Sequence, residues 1–364
     1  MASRLRDQDI TDLLNTTHPA YMEKGSFVDI SAEISKFIVM PYLLTSKGGL
    51  KVMQNGMGVK QLLMTDFGGR SRWVGELEED VHAMMDHLKT MKVYFKLLTD
   101  GNLMYTKTEI TENRGEARIA NVFKPRLRAL WLRIAHTMEE NFFETPDPSA
   151  TLTPWGLKYW IVKNTTEGFY GGYPTGFTSI AEVNLAEAPT FKNYTNQYTA
   201  ATKSDLITKM KRAVRKTKWV SPHPMPNFKG DTSDNQIILV NEDTVEALEV
   251  IGEGQNENLG RDLSPMNIPS GFKGTGMRQN EDGEITFKRK QIIPTEMLND
   301  DTSDPIYGLD MDTFHALTFQ GENMVLSDFI NMAAGGQHRV WVANLDHKHQ
   351  TICTNRRNNW VLSK

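Results

Sequence analysis

The chain contains 364 residues, with 41 Lys and Arg against 45 Asp and Glu, so its formal net charge is −4 at pH 7. That length suits two domains, or one large domain with extensions, and is ample for a sizeable core. The near-neutral charge argues against a dedicated nucleic-acid binder, which usually carries a net basic field. The single cysteine, Cys353, excludes an internal disulfide framework and any multi-cysteine zinc site.

The sequence shows neither a membrane-spanning segment nor a secretory signal. No stretch approaches the roughly 18 uninterrupted apolar residues of a membrane span. Residues 1–21 contain no apolar core of a secretory signal. We therefore expect a soluble chain that is made inside a cell.

A polar arm is predicted over residues 1–45. Within it, the segment Ile30–Tyr42 has apolar residues close to helical spacing, and Pro41 stops the pattern. Two interpretations remain open, an arm that packs on something else and a frayed terminus with one amphipathic turn.

Glycines interrupt the next segment, with pairs at positions 48–49 and 68–69. Between them, Asn55-Gly56 is a strong turn signal separating two strand-like runs, which predicts a long projecting hairpin. The glycine pairs do not indicate a phosphate site, because no Gly-Lys-Ser/Thr follows and no strand–helix–strand pattern surrounds them.

A second hairpin is predicted further along the chain. Met91–Leu98 and Leu103–Ile110 each alternate apolar and polar residues, and Asp100-Gly101 lies between them. Asp and Gly tolerate the positive φ that a tight hairpin turn needs.

A long helix is predicted over Glu116–Phe143, where apolar residues recur at steps of three and four. At about 1.5 Å per residue it would be about 42 Å long. Pro125 lies inside the pattern, so the helix must kink or start a second time there. The opposite face is rich in arginine, which permits contact with nucleic acid but favours a solvated or subunit-facing surface.

Aromatic residues and glycines alternate over Trp155–Asn196, and Gly171–Gly176 is predicted to be a loop. This pattern is open to two interpretations. The aromatic rings form a platform for a sugar or a base, or they anchor the loop against a neighbouring element or subunit. The second interpretation is favoured.

The remaining elements alternate between helices and strands. A helix is predicted at Ser204–Trp219, a buried strand at Asn235–Val240, a helix at Asn241–Asn256 and surface loop over Gly252–Gly283. Five later strands are predicted: Phe287–Ile293, Pro305–Leu309, Phe314–Phe319, Val340–Leu345 and Gln350–Cys353.

The histidines near the C-terminus offer one candidate metal site. His347 and His349 lie two residues apart and would share one face of a strand, with Asp346 and Cys353 nearby. No complementary ligand pair with recognised spacing is present elsewhere, so we predict no metal site. Cys353 fits a plain buried thiol equally well.

The other titratable groups give no catalytic pattern. His82 and His87 are five residues apart and miss the spacing that lets two helical histidines share one ion. The pairs Glu78-Glu79 and Glu139-Glu140 are adjacent, so their side chains diverge on a helix. No Gly-x-Ser-x-Gly motif occurs. We predict no catalytic residue, no cofactor-binding residue and no enzymatic activity.

Four stretches, taken in order, resemble the Hong Kong 97-type major capsid proteins of tailed bacteriophages. They are residues 104–130, which contain the turn residues Glu109, Asn113 and Gly115, residues 169–184, residues 204–219 with 236–251, and residues 305–319. The resemblance covers most of the chain, from about Ile30 to Lys364. No single stretch is a signature, but their order is specific.

The resemblance implies an α+β fold with five parts. These are an N-terminal arm (1–45), an extended-loop region (46–105), the spine helix of a peripheral domain (106–146), an axial domain (147–283) and the return strands of the peripheral domain (284–364). It also implies maturation by subunit rotation with bending of the spine helix, for which Pro125 is a hypothetical flex point. Some relatives form Lys–Asn cross-links, for which Lys51 and Lys60 are available without an assignable partner.

The function implied is that of a major capsid protein, forming pentamers and hexamers of an icosahedral shell around double-stranded DNA. The implied partners are other copies of the chain, a portal protein, a decoration protein in some cases, and packaged DNA by non-specific contact, without a membrane. A separate scaffolding protein is also expected, because the chain begins almost directly with the arm. The protein would reside in the virion after synthesis in the bacterial cytoplasm. The alternatives are another virion assembly protein and a small-ligand enzyme.

Overall fold

A computed structural model describes residues 50–54, 56–65, 73, 88–108, 123–217, 236–253, 277–279, 285–288, 290–328, 330–332, 337 and 339–364. The helices are α1 (Phe123–Phe143), α2 (Leu157–Trp160), α3 (Thr208–Thr217) and α4 (Glu242–Glu253). The first strands are β1 (Leu50–Met53), β2 (Gly58–Met64), β3 (Leu88–Tyr94), β4 (Lys96–Thr106), β5 (Tyr194–Gln197), β6 (Gln236–Val240), β7 (Met277–Gln279) and β8 (Ile285–Phe287). The later strands are β9 (Lys290–Pro294), β10 (Ile306–Asp310), β11 (Phe314–Phe319), β12 (Val325–Leu326), β13 (Ile330–Asn331), β14 (Val340–Cys353) and β15 (Trp360–Ser363). The chain is therefore α+β, as the sequence predicts.

The chain divides into two compact units that each draw on separate segments. The first unit includes Leu97–Thr137 and Gly321–Lys348, and the second includes Ser35–Lys96, Met138–Gln320 and His349–Lys364. The five-part division given above remains a prediction. In the described part of the chain, no helix has an apolar run long enough to cross a membrane.

In the first unit, β14 pairs with β4, β12 and β13. The helix α1 is attached to β4 by Arg133, whose Nη1 lies 3.0 Å from Oδ2 of buried Asp100. Arg126 also donates to the carbonyl oxygen of Met104 at 2.8 Å, and its guanidinium lies over the ring of Tyr105. Two arginines of the arginine-rich face of α1 therefore bind residues of the same chain.

The predicted Asp100-Gly101 hairpin is wrong. Residues 96–106 form one 11-residue strand that pairs with β14. Asp100 and Leu103 are both buried although they are three positions apart, so the inward-facing alternation changes phase between them. The Asp-Gly pair therefore marks a local irregularity within a strand, because long-range pairing overrides the local turn preference.

The long helix is confirmed over its described part, since α1 is continuous from Phe123 to Phe143. Pro125 lies in its first turn, where a missing N–H breaks no helical hydrogen bond. Pro125 is thus compatible with a helix start, and the predicted kink at this position is not needed. Residues 116–122 lie outside the described part.

The second unit contains a seven-stranded sheet in the order β5-β15-β10-β6-β9-β8-β7. Its centre is buried, including every residue of β6 and β10. Antiparallel β10 pairs with both β6 and β15, and β15 runs parallel to β5. The sequence did not predict β15 as a strand, and its parallel partner β5 comes from the predicted axial segment.

Two helical segments pack on this sheet, and the sequence predicts both of them as helices. The sequence expects one helix from Ser204, and the structure has a π-helical turn at Lys203–Ile207 that continues into α3. The other is α4, for which the sequence predicts residues 241–256. The buried core residues from these segments and the sheet include Leu206, Ile207, Met210, Val214, Ile238, Leu248, Phe287 and Trp360.

Three later predictions need correction. The predicted strand Phe287–Ile293 is two antiparallel strands, β8 and β9, joined at Lys288, which has a positive φ of 48°. Residues 277–279, predicted as loop, form β7 on the edge of the sheet. The two predicted strands Val340–Leu345 and Gln350–Cys353 are one 14-residue strand, because pairing with neighbouring strands continues through the polar residues between them.

The predicted turn at Asn55-Gly56 does not join paired strands. Gly56 has a φ of 98°, as a turn requires, but β1 pairs in parallel with β11 and β2 pairs with β3. Several predicted features lie outside the described residues, namely the arm, both glycine pairs, His82, His87 and Glu78-Glu79.

Candidate assembly surface

Strands β2 and β3 form a separate two-stranded antiparallel sheet, here called the ribbon. Its register runs from the Gly58–Tyr94 pair at one end to the Met64–Leu88 pair at the other. Gly58 is required at the first pair, because a Cβ atom there would lie 2.4 Å from the carbonyl oxygen of Val93. The predicted hairpin with its turn at Asn55-Gly56 is therefore wrong, because β2 pairs with β3 and not with β1.

One face of the ribbon is packed and the other is open. Successive side chains of a strand point to opposite faces, so Leu63, Met91 and Val93 share the packed face and are buried. On the open face the exposed fractions are 65% for Leu62, 69% for Met64 and 51% for Leu88. These three residues form a contiguous apolar patch, because Met64 is directly opposite Leu88 and two residues from Leu62.

The end of the ribbon at the Gly58–Tyr94 pair is bound to a turn at residues 180–183. The backbone N–H of Lys92 donates to the carbonyl oxygen of Ala181 at 3.0 Å. The ammonium of Lys92 lies 2.5 Å from Glu182 Oε2, and the hydroxyl of Tyr94 donates to Glu182 Oε1 at 3.0 Å. One carboxylate therefore binds two side chains of β3.

The turn that presents Glu182 adopts an uncommon backbone conformation. Ala181 and Glu182 have φ values of 48° and 67°, in the left-handed region that non-glycine residues rarely occupy. Ile180 and Val183 exchange two backbone hydrogen bonds across it. The N–H of Ala181 also donates to the hydroxyl oxygen of buried Tyr159 at 2.9 Å, so the surrounding structure holds the turn in place.

Electrostatics favour the charged state of this contact. The hydrogen bond from Lys92 is the main cause that lowers the pKa of Glu182, and Tyr94 and the charge of Lys60 add to it. The same hydrogen bond raises the pKa of Lys92. A second ion pair, Lys89 Nζ to Glu187 Oε2 at 2.8 Å, lies further along the same strand.

Comparison with known proteins gives structural matches only, since no protein-family model and no curated protein matches the chain. The capsid of cyanophage A-1(L) matches with a TM-score of 0.60 and 11% identity, covering 96% of this chain and 98% of the other. The capsid of a native GTA particle matches with a TM-score of 0.52 and 9% identity, covering 95% and 98%. The chain has the Hong Kong 97-type capsid fold.

A further structural match is to an encapsulin complex and not to a phage or GTA capsid. The holo-SrpI encapsulin complex from Synechococcus elongatus matches with a TM-score of 0.50 and 9% identity, covering 99% of this chain and 95% of the other. The likeness to these structures therefore shows the fold and does not by itself assign a role to the chain.

The glycine-rich loop of this capsid-fold chain is held by a buried arginine that the sequence did not single out. The guanidinium of Arg356 is fully buried and donates to the carbonyl oxygens of Trp160, Phe191 (3.1 Å) and Gly172 (3.2 Å), and to Asn193 Oδ1 (3.1 Å). Desolvation lowers the pKa of Arg356 to about 10, so it remains protonated at neutral pH. A Cβ atom on Gly171 would lie 1.8 Å from Asn193 Oδ1, which explains the glycine there.

The aromatic residues near this loop pack on one another, in agreement with the anchoring interpretation. Trp155 stacks on Tyr159 with ring centroids 4.5 Å apart. Tyr159 makes edge contacts with Trp160 and Phe177. Since Tyr159 and Trp160 are buried, they offer no platform for a sugar or a base.

The sequence-based metal candidates lie on β14. His347 and His349 are both buried and share one face of the strand, as predicted, and burial lowers the pKa of His347 to about 4. Among the residues that the structure describes, no three His, Cys, Asp or Glu side chains are grouped as metal ligands would be. Cys353, at the end of the strand, is a buried thiol whose pKa burial raises to about 12.

The remaining candidates are dispersed. Glu139 is buried whereas its neighbour Glu140 is exposed, as expected for adjacent positions on a helix. Lys51 on β1 and Lys60 on β2 are both exposed. The residues that position the ribbon, above all Glu182, were missed because their role depends on a turn that only tertiary contacts stabilise.

Proposed function

We propose that the chain is the major capsid protein of a tailed bacteriophage, and that copies of it form pentamers and hexamers that close into an icosahedral shell around double-stranded DNA. The observation that carries the proposal is the match to the cyanophage A-1(L) capsid over nearly the full length of both chains. A shell subunit acts by association, so we propose no catalytic role and no cofactor.

The ribbon supports association between copies. An isolated two-stranded hairpin is marginally stable in water, and exposed apolar patches commonly mark interaction sites. The patch of Leu62, Met64 and Leu88 therefore suits burial against a neighbouring copy. Obligate interfaces bury roughly 2,000–5,000 Å² in total, so the ribbon would supply part of a larger contact.

The test is assembly of the full chain, expressed alone and together with its scaffolding protein, followed by electron microscopy. We expect closed icosahedral shells from the natural chain. Combined Leu62→Asp and Met64→Asp substitution should leave folded but unassembled subunits, because a charge replaces apolar surface at the contact. The control is Leu152→Asp, which places the same charge on an exposed leucine outside the ribbon. Tubes or monomers from the natural chain, or normal shells from the double variant, would contradict the proposal.

An encapsulin-type shell is the second candidate, favoured by the match to the encapsulin complex over 99% of this chain. The contents of native particles distinguish the two. Nuclease-protected double-stranded DNA of uniform length supports the phage capsid. Intact particles that contain other protein and no DNA support the encapsulin-type shell.

The proposed capsid role implies further partners. We propose a scaffolding protein during assembly, a portal protein, a decoration protein in the finished shell and non-specific contact with packaged DNA. The formal charge of −4 is consistent with a container, since a strongly basic inner surface would bind the genome tightly. We propose that assembly occurs in the host cytoplasm, that the protein resides in the virion, and that the five-part division of the chain applies.

A further inference from the structure

A cleft of about 460 Å³ lies in the second unit and has no part in the assembly surface described above. It is lined by residues of the segments 145–146, 158–163, 174–175 and 297–302, together with Tyr307. This volume falls within the range of small-molecule sites in proteins, roughly 300–1,000 Å³.

Two lysines in the cleft share one carboxylate. The ammonium of Lys163 lies 2.6 Å from Asp301 Oδ2 and 2.7 Å from the hydroxyl oxygen of Ser303. The ammonium of Lys158 lies 3.2 Å from the same Oδ2 atom. Burial alone would raise the pKa of Asp301, but hydrogen bonds from Lys163 and Ser303 and the charges of both lysines hold it well below its usual range.

The polar groups of this cleft leave donors in excess. Both oxygens of Asp301 are engaged, since Oδ1 accepts from the hydroxyl and the backbone N–H of Ser303. An ammonium carries three N–H donors, and the contact with Asp301 engages one of those of Lys158. The trio of Lys158, Lys163 and Asp301 also has a net charge of +1. The donors of Lys158 therefore outnumber the acceptors described beside it, and the other carboxylate in the lining, that of Asp300, is exposed to solvent.

A buried hydroxyl points to the same need. Tyr307 lines the cleft and is fully buried, and its hydroxyl has no hydrogen-bond partner in the described part of the chain. Nearly all buried polar atoms in proteins are hydrogen-bonded, so such a group calls for a ligand or an ordered water.

We infer that the cleft binds a small organic oxyanion, a carboxylate or a phosphate ester. Lys158 and Tyr307 donate to its oxygens, and Ile161, Val162 and Met297 cover its apolar part. Asp300 also lines the cleft, but it is exposed, so water and salt screen its repulsion of the anion. This inference does not depend on shell formation.

The experiment is a titration of the purified full chain with hexanoate, inorganic phosphate and the neutral analogue hexanamide, followed by calorimetry. We expect saturable binding of hexanoate or phosphate at one site per chain, with hexanamide at least tenfold weaker than hexanoate. The tighter of the two anions identifies the ligand class. Absence of saturable binding by both anions, or equal affinity for hexanamide, would overturn the inference.

Two variants test the assigned donors. Lys158→Gln and Tyr307→Phe should each weaken binding of the anion at least fivefold, whereas Lys348→Gln, which removes an ion pair in the other unit, should not change it. Tyr307→Phe removes only the hydroxyl, so its Tm without ligand should equal or exceed that of the natural chain. Unchanged affinity in both cleft variants would overturn the assignment.

Discussion

Nη2 of Arg356 donates to Oδ1 of Asn193 at 3.1 Å, across a sequence separation of 163 residues. Asn193 is in turn bonded to Val162 by two hydrogen bonds, one in each direction. A single buried cation therefore connects the turn after β14 with the loop that precedes β5. Every acceptor described for Arg356 is a carbonyl oxygen, and none is a carboxylate. The guanidinium therefore stabilises the backbone of these loops and does not form an ion pair with any described residue.

Arg356→Ala should strongly destabilise the fold. The substitution removes the donor of three buried backbone carbonyl oxygens and one of the two donors described for Asn193 Oδ1, and we expect a loss of about 3–5 kcal/mol in the free energy of unfolding. Chemical denaturation of the soluble subunit measures it. The matched control is Arg357→Ala, since Arg357 is exposed and stacks on Phe169, a contact of about 1 kcal/mol or less. Equal losses in the two variants would contradict the role of Arg356.

Gly308→Ala should also destabilise the second unit. A Cβ atom at this position on β10 would lie 2.0 Å from Cε2 of Trp360, a buried ring that cannot move away without disturbing its neighbours. We expect a loss of about 1–3 kcal/mol, the usual cost of overpacking a core. Gly172→Ala is the control, because its nearest contact would be an ordinary 4.0 Å. The prediction fails if both variants have the same denaturation midpoint.

The contact between Glu182 and the ribbon should weaken in acid. The lowered pKa of Glu182 means that its stabilising effect is complete above the ordinary value of 4.5 and is lost as the pH falls through the lower folded value. At high pH the same contact depends on Lys92, whose pKa is raised. The contact is lost as the pH rises through the folded value, which lies above 10.5. Hydrogen exchange at the Lys92 amide, after correction for the intrinsic rate, should accelerate as the pH falls below the ordinary carboxyl value of 4.5.

Glu182→Gln should abolish this acid dependence, because the amide has no carboxyl proton to gain. Tyr94 and Lys60 face the same carboxylate, and Lys89 and Glu187 form the neighbouring ion pair on β3, so Glu187→Gln is the matched control. The same acid response in the natural chain and in Glu182→Gln would show that another group governs the ribbon.

The thiol of Cys353 should be unreactive in the folded chain. Its thiol is buried, and burial raises its pKa to about 12, so almost no reactive thiolate forms at pH 8. We expect Ellman's reagent to detect no thiol in native protein and one thiol per chain in guanidinium chloride, since the sequence has one cysteine. Cys353→Ala provides the blank. Rapid stoichiometric reaction of the native protein would refute this prediction.

The sequence predicted elements well where local pattern and burial agree. The strand Phe314–Phe319 was predicted with its observed bounds, and β6 and α4 were predicted to within a few residues. The prediction of secondary structure failed where pairing between distant strands overrode a local signal. Asp100-Gly101 lies within β4, and the polar residues 346–349 continue β14, because hydrogen bonds to neighbouring strands determine those conformations.

The candidate site was less accessible to prediction than the fold. Glycines and alternating residues indicated a projecting hairpin, but they did not identify β2 and β3 as its paired strands. Glu182 and Arg356 carry no sequence signal, since each acquires its role from partners far away in the chain.

By itself the sequence determined the long helix, the absence of a disulfide framework and the order of elements, and the resemblance of that order to a capsid protein implied the fold class. These depend on periodicity, composition and order, which are properties of the chain read locally. Only the tertiary structure decided that Leu62 and Met64 are exposed on one face of a ribbon while Leu63, between them, is buried. Strand alternation separates these neighbours onto two faces, and which face is open depends on what the rest of the chain packs against it.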